Sequence, residues 1–177
     1  MPDASSAAAP PPGSCFADVA AARLALQLAS PMIEAALPDR QVCGSGFLYV
    51  VIMDPALGPD EVGFEQAVLL EHAFGDRSGW DADYAAFARA KARITWQRGV
   101  DSHRLQGEQP HRLRAGDSLL WGSACLDGIV VGVSGAHPWF DEAFALAIAA
   151  NLRAIAHRSH AAARERNQLF APAATGA

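Results

Sequence analysis

Few residues of this 177-residue chain have both the type and the setting to do chemistry, and Lys91 is the first of them. With residues set 100° apart, it falls on the apolar arc of a helical stretch, beside Phe87, Tyr84, Ala88, Thr95 and Ile94. An ammonium on that arc must snorkel, pair with a carboxylate or border a pocket, because burying it unpaired is costly. At a pocket it would hold a carboxylate or propionate, or act as a base once desolvation made it neutral. Asp54, which ends the first strand-like run, is the structural partner open to it. If Lys91 and Asp54 pair, neither is a free catalyst.

Gly132-Val133-Ser134-Gly135 places flexible backbone amides just before a helix start, a geometry that can hold an anionic group. The plainer reading is a turn in which Gly135 supplies a positive φ, Asp141 caps the helix and Glu142 belongs to its first turn. As a ligand site, the same region gathers Lys91, Ser134, Gly135, His137 and Glu142. Six histidines are available as haem-iron ligands, namely His72, His103, His111, His137, His157 and His160. His72 in a strand-like run and His137 in the glycine bend are the axial candidates. His157 and His160 share a helical face without acidic neighbours, so no metal site is expected. Ser134 and Cys125 have no identifiable base, and structural roles suit them better than nucleophilic ones.

Composition narrows the classes of function. Apolar residues make up 51% and charged ones 19%, far from the signature of disorder, and the length suits one domain. A net charge of -5 gives no attraction for phosphate, which sets nucleic acid aside as a partner. Three cysteines without CxxC spacing fit neither a disulfide framework nor a zinc knuckle, and a reducing compartment is expected. The opening MPDASSAAAPPPGSC lacks the form of a secretory signal, and no apolar run reaches the roughly 18 residues of a membrane span. The expectation is a cytoplasmic protein without a membrane partner. Four tryptophans, Trp80, Trp96, Trp121 and Trp139, suit core packing, a pocket wall or an oligomer interface.

The elements that must position these groups follow from periodicity. Residues 1–15 and 171–177 read as flexible tails around one domain at 16–170. A helix starts at Asp18, and Pro31 makes a second, kinked piece of its end. Gly46 to Met53 reads as a strand covered on both faces, and Phe64 to Phe74 as its hairpin partner. A helix runs from Asp81 to about Arg98, followed to Asp117 by a loop with at most one short element. Ser118 to Leu126 and Ile129 to Val133 form a hairpin across Asp127-Gly128, whose composition suits a type I′ turn. A last helix fraying into HRSHAAARER closes the chain. Two hairpins and intervening helices imply an α+β fold with helices packed on an antiparallel sheet.

AFARAKARITW at 86–96 and GIVVGVSGAHPWFDEAFALAIA at 128–149 resemble the GlcG/HbpS family and the carboxy-terminal domain of PduO-type adenosyltransferases. The matching residues are Asp54 after the strand, Ala88, Lys91 and Ala92, then Gly132 to Gly135, and Asp141 with Glu142. The resemblance implies a profilin- or roadblock-like fold with a five-stranded antiparallel sheet, a homo-oligomer, and binding of haem in some members. The chain departs from the family pattern at EHAFGDRSGW (71–80), at Ile94 and at GDSLLWGSA (116–124). The expected function is a small-ligand-binding protein, with haem or a related tetrapyrrole as one ligand. The alternatives are a cofactor-free enzyme acting on a small organic acid through Lys91 and Asp54, and an oligomeric accessory subunit without ligand.

Overall fold

The computed structural model describes residues 11–171. The amino-terminal tail up to residue 10 and the tail from 172 to 177 lie outside the described residues. Residues 11–15, expected as tail, pack onto the domain: the Ser14 amide donates to both carboxylate oxygens of Asp54, at 3.0 and 3.1 Å.

Helix α1, Val19–Ala36, begins where the Asp18 side chain accepts from the Ala21 amide. Pro31 lies within α1 rather than dividing it, and the Ser30 hydroxyl donates to the Leu26 carbonyl just before it. Strand β1, Leu48–Met53, is buried at every residue, as its unbroken apolar run predicts for a central strand. The second strand is shorter than its apolar run: Phe64–Ala67 is a helical turn, α2, and β2 is Val68–Phe74. The β1–β2 register shifts between Ile52 and Met53, where the helical turn joins the ladder.

Helix α3, Tyr84–Arg98, is capped by Asp83 rather than Asp81 and ends at Gly99 in the left-handed conformation. The polar stretch after it holds one short helix, α4 at Ser102–Gly107, and a single 3₁₀ turn at Pro110–Arg112. Strands β3, Ser123–Leu126, and β4, Ile129–Ser134, form the expected hairpin. Asp127 and Gly128 have φ of 51° and 86°, the two positive values a type I′ turn requires. Helix α5, Pro138–Glu165, runs through the segment expected to fray.

The fold is α+β, with a four-stranded antiparallel sheet in the order β2-β1-β4-β3 rather than five strands. Residues 118–122, expected to lengthen β3, lie outside the ladder. Alternation then sorts the sheet's side chains. Leu48, Val50, Ile52, Val131 and Val133 meet α1 and α5 in one core cluster. Tyr49, Val51, Met53 and Val130 meet Ala88 and Ala92 of α3 in another. Among the described residues, no helix is long and apolar enough to cross a membrane.

Candidate ligand-binding cleft

Lys91 reaches its place because β4 lets α3 come close. A Cβ at Gly132 would stand 2.6 Å from the Ala88 carbonyl oxygen and 2.7 Å from the Ala92 Cβ, so only glycine fits beneath the helix. One turn on, Lys91 crosses the end of the sheet with 4% of its surface exposed. Its Nζ donates to Asp141 Oδ2 at 2.7 Å, to the Val133 carbonyl at 3.0 Å and toward Ser134 Oγ at 3.4 Å. Three ammonium protons thus meet three acceptors.

Asp141 lies in the first turn of α5 and is 1% exposed. Its other oxygen accepts from the Ala136 amide at 2.9 Å, so the carboxylate folds back onto the glycine bend. Burial pushes its carboxyl up to about 6, against the downward pull of the Lys91 ammonium and the Ala136 and Gly135 amides. Gly122 covers the pair from the third side: with φ of 134°, a Cβ there would meet Asp141 Cβ at 2.5 Å and Lys91 Nζ at 3.1 Å.

Over this pair opens a cleft of about 420 Å³. Tyr84 and Phe87 of α3 wall one side, and Leu120 and Trp121 form a lip from the loop before β3. Ser134, Gly135 and His137 wall the other. Trp139, 57% exposed, stacks its ring on His137 with centroids 5.3 Å apart, extending that wall outward. Asp81 stands at the mouth and accepts from the Tyr84 hydroxyl at 2.7 Å. Burial and the neighbouring Asp81 both push the Tyr84 hydroxyl upward.

The structure gathers Lys91, Ser134, Gly135 and His137 around this cleft, and places the other expected residues elsewhere. Asp54 does not meet Lys91: its carboxylate accepts from the amides of Ser14 and Ala56, which fixes the turn after β1. The partner of Lys91 comes instead from α5, fifty positions along the chain. Glu142 turns away to His103 on α4, with Oε2 2.5 Å from Nδ1, and burial pushes its carboxyl upward against that contact. His72 is exposed on the opposite sheet face, near Leu26 and Ser30 of α1, with its ring edge against Phe74. His72 and His137 therefore do not face a common ligand.

Of the lining residues, Trp121 takes the pocket-wall role that the sequence leaves open for it, whereas Asp81, Tyr84, Phe87 and Leu120 carry no site role in the sequence, although the helical arc holds Tyr84 and Phe87. The available signal is Trp121 beside Gly122 in GDSLLWGSA, the stretch that departs from the family pattern. Asp141 was read as a cap for α5, yet it completes the bend's hydrogen bonding and neutralises Lys91. A second hollow, about 460 Å³, runs along the outer side of α3. Its arginines, Arg89 and Arg93, are engaged by Glu65 and Glu71, and its Asp117 by Arg98.

Among the described residues, no group of three or more His, Cys, Asp or Glu is placed to hold a metal ion. No protein-family model matches the chain, and no curated protein matches it.

Proposed function

We propose that the chain is a small-ligand-binding protein of the GlcG/HbpS type, taking its ligand in the cleft above Lys91 and Asp141. The observation that carries this reading is an open hollow with aromatic walls over a closed ion pair. Such a combination suits binding better than proton transfer, because the ammonium is held by three acceptors and its carboxylate by two sets of donors. Aromatic walls supply apolar contact at low entropic cost, while Ser134 and the Tyr84 hydroxyl are the polar groups able to orient a guest.

Haem is one guest of this reading, and His137 is then the axial ligand, since it alone of the two candidate histidines lines the cleft. Assembly into a homo-oligomer belongs to the same reading, and sedimentation of the purified chain tests it. Hemin titration of the apoprotein tests the tetrapyrrole version. The expected result is a saturable Soret shift that His137→Ala removes and His72→Ala leaves intact. A shift insensitive to His137→Ala would reject His137 as the ligand, and no saturable shift would reject haem.

A further inference from the structure

Apart from the Ser134 hydroxyl, the hydrogen-bond donors that an anionic guest would need at the cleft floor are already engaged. Lys91 has its three acceptors, and the Ala136 amide donates to Asp141. Helix α5 opens with Pro138, which has no N–H, and the His137 amide donates to the Val42 carbonyl. The next amides, of Phe140 and Asp141, both donate to the His137 carbonyl. The helix start that the sequence offers as an anion site is thus closed, leaving the Trp139 amide as its remaining first-turn donor.

The charges of the cleft do not sum to zero. Lys91 and Asp141 cancel at the floor, whereas Asp81 at the mouth has a neutral partner, the Tyr84 hydroxyl. Among the described residues, no lysine, arginine or histidine pairs with Asp81. Asp83 caps α3 and faces the other hollow, so Asp81 is the cleft's one carboxylate without a cationic partner among the described residues, within a chain of net charge -5. Tyr84 touches that carboxylate, and the rings of Phe87 and Trp121 line the same cleft. Ring faces carry negative potential and attract cations, most strongly where water is displaced.

From this arrangement we infer that the cleft selects an organic cation: an ammonium on an apolar body, with the charge held by Asp81 and the rings of Tyr84, Phe87 and Trp121. The inference rests on the ligand-binding reading but not on its tetrapyrrole version, whose propionates the carboxylate at the mouth would repel, and it narrows the reading to one charge class. The Lys91–Asp141 pair supplies a neutral floor, and the carboxylate at the mouth supplies the selection.

Tryptophan fluorescence of the full chain, titrated at pH 8 and low salt with benzyltrimethylammonium, benzyl alcohol and benzoate, tests it. The cation should bind about tenfold or more tighter than benzoate. Asp81→Asn, which keeps an acceptor for Tyr84, should weaken the cation about fivefold and leave benzyl alcohol unchanged. Trp121→Ala and, separately, Phe87→Ala should each weaken it too, with circular dichroism confirming the fold. Benzoate binding as tightly as the cation, or an unchanged cation-to-alcohol ratio in Asp81→Asn, overturns the charge selection while the binding reading stands. No saturation by any of the three probes overturns this inference, and the binding reading falls with it only if hemin also fails to bind.

Discussion

The two faces of the sheet follow different rules. Toward α1 and α5 the contacts are apolar: Leu48, Val50, Ile52, Val131 and Val133 meet Ala22, Ala25, Ile33, Ile148 and Leu152. Toward α3 the same sheet has an apolar cluster of Val51, Met53 and Val130 as well, but adds Gly132, Ser134 and Ser123, which the helix answers with Lys91 and Thr95. There Thr95 and Ser123 share a hydrogen bond of 2.8 Å, and Ser123 Oγ donates to the Lys91 carbonyl at 2.8 Å. The first face tolerates exchange of one apolar group for another of like volume. The second depends on specific partners, since each buried polar group there costs stability when its mate is removed. A site belongs on the second face because only there does the interior offer groups that distinguish one guest from another.

Substitutions that treat the faces alike should separate them. The largest loss is expected for Lys91→Met, which strands the Asp141 carboxylate in the interior and should cost about 3–5 kcal/mol in urea unfolding. Adding Asp141→Leu should recover much of that loss, because two apolar groups leave no orphaned charge. An equal or greater loss in the double variant would mean that the pair contributes more than mutual neutralisation. On the apolar face, Leu152→Ala should cost about 2–5 kcal/mol, and no second substitution on the polar face should restore it.

Stability should also depend on pH through Asp141. Its folded value of about 6 lies above the ordinary 3.8, so between those values the folded state binds more protons than the unfolded one. That contribution is fully present below pH 3.8 and is lost as pH rises through about 6, a change of up to ~3 kcal/mol. Asp141→Asn should remove this slope in denaturant titrations, and a slope that persists would place its origin elsewhere. The smallest effect is expected at the α3 cap: Asp83→Ala removes the acceptor for the Ala86 amide and should cost about 1 kcal/mol by thermal unfolding.

Local chemistry was legible in the sequence, and closure across the chain was not. Asp127-Gly128 announced its hairpin because few residue pairs accept two positive φ values in succession. Lys91 was conspicuous because helical geometry alone placed a charge among apolar neighbours. Its partner was misplaced, since Asp54 and Asp141 both follow a β-strand and only the docking of α5 against the sheet decides between them. Phe64–Ala67 read as strand because a short apolar run has no period to distinguish one turn of helix from an extended chain. The cleft itself combines α3, the loop before β3 and the bend before α5, which no local pattern could have joined.

The placement of Gly122 has a dynamic consequence. Its backbone lies against both charges, so the lip that carries Leu120 and Trp121 is anchored at one end by a buried ion pair. Just before that anchor, Leu119 is 74% exposed, while its neighbour Leu120 is tied to α4 by the Gln106 side chain, which donates to the Leu120 carbonyl at 2.7 Å. Hydrogen exchange should therefore be fast at Leu119 and slow at Lys91, the lip being held on both sides of Trp121, by Gln106 and by Gly122.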